Sequence, residues 1–354
     1  MMTIYRSLFL SMALISVCLS APASAVARPN LLFIIADDCT FRDIGCYGGQ
    51  AHTPNIDRLA EQGMRFTQSF QAAPMCSPTR HCIYTGLYPV KSGAYPNHTF
   101  AKDGTKSIVH YLKPLGYRVA LSGKTHIAPK KVFPFEYSGK RNPDFAAVEE
   151  LFADSAKAET PFCLFACSNE PHSPWDKGDA SRYSQQSVKL PPYFVDTEET
   201  RSNFVDYLAE ITYFDGQVGR CLELLEKYKL ADNTLVIVTS EQGSSFPFAK
   251  WTCYDNGLRT GFVVHWSGVT RPGSVIEDLV STADVTPTLV DATGGTLKPG
   301  ACDGMSFLPL LKGDELDQSR KYVFGAFTNC RIIDNRDRVY PIRSIRDRQF
   351  SLIY

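Results

Sequence analysis

An unbroken apolar run, Asn30–Ala36 (NLLFIIA), lies between Pro29 and the acidic pair Asp37-Asp38. It has the length of a strand and no polar face, the pattern of a central strand buried on both sides of a parallel sheet. Arg118–Ser122, Pro161–Ala166, Leu235–Thr239 and Phe262–Trp266 are further strand candidates. Thr53-Pro54 opens a helix that Gly63 closes, with a cap, a proline in the first turn and a terminal glycine. Ser77-Pro78 opens a second helix that runs to about Gly86, and an amphipathic pattern over Glu198–Tyr228 predicts a long third one. Strands alternating with helices predict an α/β fold with a doubly wound sheet. After about residue 320 the alternation stops: Tyr322–Phe327, Val339–Ser344 and Phe350–Tyr354 read as short strands joined by charged turns, the start of an antiparallel subdomain. The chain ends inside the last of these apolar runs, which reads as a C-terminal truncation.

The residues just past each strand say more about chemistry than the strands themselves. Asp37-Asp38 come after the first, Lys124 and His126 after the run at 118–122, Glu170 and His172 after the run at 161–166, and Glu241-Gln242 after the run at 235–239. Open α/β sheets bind ligands beyond the carboxyl ends of their strands. Separate segments thus deliver carboxylates, lysine and histidine to one edge of one sheet.

Cys76-Ser77-Pro78-Thr79-Arg80 is the sharpest local signal. With Ser77 as cap and Pro78 at the first helical position, Cys76 would lie at the positive end of a helix, where backbone N–H groups favour anions. Arg80 falls one turn in and can reach back. A thiol so placed is expected to be an activated nucleophile or a redox site.

The N-terminus is of another kind. Arg6, the apolar run Leu8–Leu19 and the small residues Ala23-Ser24-Ala25 form a secretory signal peptide cleaved near Ala25, so a secreted or periplasmic location is expected. No later stretch is apolar enough to span a membrane, so no integral membrane association is expected. The expected division is a signal peptide at 1–25, a catalytic domain at 26–320 and the start of a C-terminal subdomain at 321–354. Lys+Arg and Asp+Glu are equal at 37 each. No overall field attracts nucleic acid, and any recognition of anions must be local. Of eleven cysteines, none has the spacing of a zinc site. Export would permit disulfides, whose connectivity the sequence leaves open.

The C-x-P-x-R core at Cys76–Arg80, with Thr85-Gly86 a few residues on, resembles the signature of formylglycine-dependent sulfatases. The resemblance runs over roughly 28–345. It takes in Asp37-Asp38, Thr53–Ala60 (TPNIDRLA), Gly123–His126, Pro171–Pro174, Thr239–Gly243 and Asp284–Thr288. It implies an alkaline-phosphatase-like, doubly wound mixed sheet flanked by helices. Asp37, Asp38, Glu241 and Gln242 would bind one metal together with the formylglycine made from Cys76. Hard oxygen ligands point to calcium rather than zinc. This chain has Glu241-Gln242 where many members have Asp-Asn or Asp-His, so charge and ligand type survive on side chains one methylene longer.

The resemblance also assigns roles. Arg80 and Lys124 would steady the formylglycine hydroxyls, and Lys124, His172 and Lys250 would face the sulfate oxygens. One hydroxyl of the formylglycine hydrate would attack sulfur while His172 or Lys250 protonates the leaving group. The other, deprotonated by His126, would expel sulfate. The implied partners are a sulfated saccharide and a formylglycine-generating or sulfatase-maturating enzyme. Gly123–Glu136 (GKTHIAPKKVFPFE) and Phe246-Pro247-Phe248 are most similar to the branch that holds heparan N-sulfatase. A sulfated glycan end is therefore the expected substrate, with N-sulfoglucosamine first and O-sulfated algal sugars as the alternative. Tyr95, Asn97, His98, Lys130, Lys131 and Trp175 are candidate saccharide contacts, with Asn97 and His98 foremost. Two other readings stay open: a phosphodiesterase or phosphonate monoester hydrolase of the same superfamily, and a catalytically inactive sugar-binding relative.

Overall fold

The computed structural model describes residues 28–328 and 341–354. The expected signal peptide and the first part of the strand expected at 339–344 lie outside these residues. The strands, in chain order, are β1 (Asn30–Ala36), β2 (Met64–Phe66), β3 (Ser69–Phe70), β4 (Arg118–Gly123), β5 (Glu136–Ser138), β6 (Phe162–Cys167), β7 (Thr234–Ser240), β8 (Phe262–Trp266), β9 (Ser274–Ile276), β10 (Val280–Ser281), β11 (Val323–Phe327), β12 (Ile342–Arg346) and β13 (Ser351–Ile353). Eight of them form one sheet in the order β5-β4-β6-β1-β7-β8-β2-β9. β5, β4, β6, β1 and β7 are mutually parallel, whereas β8 runs antiparallel to both β7 and β2. The sheet is therefore mixed, and β1 sits near its middle.

β1 is buried along its whole length, and its period of two sorts its side chains between two cores. Leu31, Phe33 and Ile35 pack with Ile83 and Tyr84 of the helix Cys76–Thr85 and with Leu289 of the helix Val285–Ala292. Leu32, Ile34 and Ala36 face the other way, toward Val148 of the helix Phe145–Ala158 and Leu208 and Phe214 of the helix Glu198–Lys227. β6 and β7 split in the same manner. Full burial of such side chains stabilises by about 1.5–3 kcal/mol each, which fixes the strand ends relative to one another. β11, β12 and β13 make a separate antiparallel sheet. Val323 and Phe327 anchor it against Phe70, Cys253 and Leu258.

Two caps differ from expectation. Thr53 makes no capping bond. Its hydroxyl instead accepts from the Gly45 N–H and donates to Asp57. The second helix begins at Cys76, with Met75 rather than Ser77 at the cap position. The Ser77 N–H is taken by Asn97 Oδ1 at 3.3 Å, a partner twenty residues away that no local pattern announces.

Candidate active site

The ends of β4, β6, β1 and β7 are adjacent, and backbone bonds continue between the loops that leave them. Asp37 N–H donates to the Glu170 carbonyl at 3.0 Å, Lys124 N–H to that of Cys167 at 3.0 Å and Glu241 N–H to that of Ala36 at 3.4 Å. Two glycines permit the closeness. Gly123 has φ 101° and a Cβ there would lie 2.0 Å from the Cys167 oxygen, while a Cβ on Gly243 would lie 1.6 Å from the Asn256 oxygen. Asp38 itself holds a left-handed backbone, φ 64°. That conformation is unfavourable for a side-chain-bearing residue and is concentrated at functional sites.

Asp37, Asp38, Arg80, Glu241 and Gln242 are wholly shut off from solvent, and Cys76 and Lys250 are buried with them. Cys76 Sγ lies 3.5 Å from Asp37 Oδ1, and Gln242 Nε2 donates to it at 3.1 Å. Each carboxylate has its own cation. Arg80 Nη2 meets Glu241 Oε2 at 3.2 Å and Lys250 Nζ meets Asp38 Oδ2 at 2.7 Å, while the Lys124 ammonium pairs with Asp37. Arg80 also donates to the Lys124 carbonyl at 3.0 Å. His172 comes last, its Nδ1 donating to the Ser173 carbonyl at 2.7 Å, which turns Nε2 toward Asp38 Oδ2 at 3.8 Å. His126 Nε2 and His98 Nδ1 are 2.7 Å apart.

The structure thus brings together all of Asp37, Asp38, Cys76, Arg80, Lys124, His126, His172, Glu241, Gln242 and Lys250. It sets Asn97 at the start of the Cys76 helix and His98 against His126. The other four candidates fare differently. Trp175 is stacked on Phe246 at 5.0 Å with its N–H on the Pro171 carbonyl, so it supports the His172 loop from beneath. Lys131 pairs with Asp103 at the surface and Lys130 lies over Tyr137, and Tyr95 is exposed. Sequence reasoning missed Ser245, whose hydroxyl lies 3.4 Å from Asp38 Oδ2, and Asn142, which holds Glu170 Oε1 at 2.9 Å. Neither carries a local signal.

The expectation of an activated thiol is corrected. Burial pushes the Cys76 thiol up to about 12; the Asp38 and Glu241 carboxylates add to this, and Lys250 and Arg80 offset only part of it. Cysteine as such is a poor nucleophile here. Burial, with Lys124 and His98 beside it, lowers His126 to about 3, so its imidazole is neutral at ordinary pH. Burial also lowers Lys124 to about 8 and lowers His172. Lys250 shifts the other way: burial lowers it most strongly of any single cause, but Asp38, Cys76 and Glu241 together outweigh burial. All nine cysteines among the described residues are unpaired.

The oxygen set fits a hard cation. Glu241 Oε1 and Gln242 Oε1 are buried with no hydrogen-bond partner, and Asp37 Oδ2 has only the Lys124 ammonium. Each unsatisfied acceptor costs about 1–3 kcal/mol, which an oxygen-seeking ion would recover. Ligand atoms of Asp37, Cys76 and Glu241, and of Asp37, Asp38 and His172, lie within 4.8 Å of one another.

A mixed sheet between helix layers, with carboxylates, lysines and a helix-start residue gathered at its strand ends, is the alkaline-phosphatase-like fold. A phosphonate monoester hydrolase of Agrobacterium radiobacter has the same fold, with TM-score 0.76 at 19% identity over 92% of this chain and 87% of that one. The chain belongs to the Sulfatase family, whose model matches residues 29–295, and it is an enzyme that hydrolyses sulfate esters. A second model, N-sulphoglucosamine sulphohydrolase, C-terminal, matches residues 243–354. An ulvan-active sulfatase of Formosa agariphila is 35% identical over 94% of this chain and 67% of its own length. The human N-sulphoglucosamine sulphohydrolase is 27% identical over 93% of this chain and 74% of its own. The family implies a metal ion and a formylglycine, and the acidic cluster supplies a place for the metal.

Proposed function

We propose that this enzyme removes sulfate from a sugar unit of a sulfated polysaccharide, with residue 76 as formylglycine and calcium as the metal. The observation that carries the reading is the cluster of buried, unpartnered oxygens around Cys76. Asp37, Asp38, Glu241 and Gln242 are the residues that would hold the ion, and their all-oxygen donor set suits calcium over zinc. The ion would supply positive charge toward the sulfate oxygens, and the hydrated aldehyde would supply a hydroxyl nucleophile and a route to release sulfate.

The remaining residues have roles set by position and charge. Arg80 fixes Glu241 and the Lys124 loop at once. Lys124 and Lys250, held by Asp37 and Asp38, present ammonium groups to an anion entering beside Cys76, and a cation bound to the same carboxylates would leave them to do so. His172 Nε2 points into the site from a ring anchored through Nδ1, which suits proton delivery to a leaving oxygen or nitrogen. His126 is neutral, the form a proton acceptor needs, and a sulfate anion bound beside it would raise the basicity that burial and Lys124 lower. Asn97 holds the start of the Cys76 helix, and His98 borders the entrance through His126.

For the sugar, the 35% relative favours ulvan oligosaccharides, and the C-terminal model favours N-sulfoglucosamine. Among the described residues no helix is long and apolar enough to cross a membrane, and the Ala23–Ala25 site supports export. Maturation of Cys76 requires a formylglycine-generating partner. Assays of sulfate release from ulvan oligosaccharides, N-sulfoglucosamine and 2-O-, 4-O- and 6-O-sulfated saccharides, beside phosphodiester and phosphonate ester controls, test the reading. Release of sulfate from at least one sugar is expected. Turnover of the phosphorus esters alone would assign the chain to the phosphonate hydrolase reading, and binding without turnover to the sugar-binding one.

A further inference from the structure

Between Gln242 and β8 the chain returns to the site through Lys250, and on either side of that lysine it exposes large aromatic rings. Phe248 is 52% exposed, Tyr254 51% and Trp251 36%, and Tyr193 joins them from another segment at 37%. Tyr193 and Phe248 are 5.9 Å apart between ring centroids, and Phe248 and Tyr254 6.2 Å. The strip is continuous with the active site, because the Lys250 ammonium that reaches Asp38 also lies 5.0 Å from the Trp251 ring centroid.

Two features separate this strip from scattered surface residues. Phe248 and Trp251 both hold left-handed backbones, φ 64° and 70°, an unfavourable conformation for bulky side chains that the fold maintains while leaving the rings in water. Tyr193, Phe248 and Tyr254 also border a groove of about 610 Å³ whose other walls carry Arg42, Asp255 and Arg346. Arg346 is paired with Asp255, whereas Arg42 makes no ion pair among the described residues. Flat apolar platforms beside a guanidinium that lies over Phe41 and next to Asp43 match a sugar that presents a C–H face and an anionic group.

We infer that Tyr193, Phe248, Trp251 and Tyr254 form a subsite for sugar units adjoining the one that bears the scissile sulfate, and that Arg42 pairs with a sulfate or carboxylate on such a unit. The enzyme is then a reader of anionic oligosaccharides rather than of free monosaccharides. This rests on the glycan reading above and names the length and charge of its substrate.

The test uses the full chain with Cys76→Ala, so that binding is measured without turnover. Titration calorimetry compares disaccharides with hexasaccharides of ulvan and of heparin. The hexasaccharide of one series is expected to bind at least about tenfold more tightly than its disaccharide. Phe248→Ala with Tyr254→Ala should remove that gain while weakening the disaccharide, which fills only the first of the adjoining positions, far less, and Arg42→Ala should reduce the salt dependence of hexasaccharide binding. Phe248→Gly should lose the gain without lowering the melting temperature, because glycine accepts the left-handed backbone. Equal affinity at both lengths, or a gain that survives the double substitution, overturns the inference. Sulfate release from the disaccharides by the matured wild type is measured in parallel. Release without length-dependent binding overturns the strip alone, whereas neither release nor binding overturns the glycan reading as well.

Discussion

Replacing Arg80 with methionine keeps the apolar stem of the side chain and removes its charge and hydrogen-bond donors. Arg80 and Glu241 are both fully buried, with Nη2 and Oε2 3.2 Å apart, and the same guanidinium satisfies the Lys124 carbonyl. In the variant Glu241 loses its cation while its other oxygen already lacks a partner. Removing one member of a buried pair costs about 3–5 kcal/mol. A chain of 354 residues has an unfolding entropy of about 0.7 kcal/mol/K, so the metal-free protein should melt roughly 4–7 °C lower. Differential scanning calorimetry in chelator measures this. Glu241→Gln added to Arg80→Met should restore much of the loss, because the stranded charge goes with it, and the double-mutant cycle should give a coupling above about 1 kcal/mol. Saturating calcium should partly rescue Arg80→Met by giving Glu241 a new cation. A drop below about 1 kcal/mol, or additive behaviour of the two substitutions, would refute the view that the pair is a buried electrostatic unit.

Calcium at about a thousand times its Kd should stabilise the wild type by about 4 kcal/mol, read as a rise of roughly 6 °C over chelator; Asp38→Asn should abolish most of that rise, and a wild-type melting point indifferent to chelator would count against the ion. Asp43, in contact with Tyr207 at 3.1 Å, is pushed by burial up to about 7. The folded chain therefore keeps a proton that the unfolded chain gives up near 4. That contribution is complete below about pH 4 and is lost as pH rises to about 7. Asp43→Asn should accordingly raise the melting temperature above pH 7 and flatten its dependence between those values, as pH-resolved melting would record. Unmodified Cys76, with its thiol near 12, should resist iodoacetamide in the native state at pH 8, and rapid alkylation seen by peptide mass spectrometry would contradict its burial among carboxylates.

How much of this was legible in the sequence depended on distance along the chain. β1, β4, β6, β7 and β8 stood out because their middles are buried on both faces and read as apolar runs, with polar residues mostly at the ends. β2, β3, β5, β9 and β10 are two or three residues long, too short for a period to register. The clustering of polar residues at one sheet edge was legible for a topological reason, since residues directly after buried strands of a parallel sheet must converge. The sequence did not reveal which cation serves which carboxylate. Arg80 meets Glu241 across 161 positions, and Lys250 meets Asp38 across 212. The misjudged thiol has the same origin: the helix start was visible, but the burial and the carboxylates that outweigh it were not. Trp175 has the chemistry of a sugar platform, but its face is covered by Phe246, which lies far away along the chain and leaves no local trace. Phe248 and Trp251 gave no warning, because nothing local marks a bulky residue for a left-handed backbone.

The central claim is that this site releases sulfate through residue 76. The direct measurement is ion chromatography of sulfate freed from sulfated oligosaccharides by protein produced with a formylglycine-generating enzyme, beside its Cys76→Ala counterpart, with mass spectrometry of the residue 76 peptide in both. The account predicts a formylglycine at position 76 in the active preparation, steady release of sulfate, and a loss of several orders of magnitude in Cys76→Ala. Sulfate release that persists in Cys76→Ala, or that comes from protein carrying only free thiol at position 76, would contradict it.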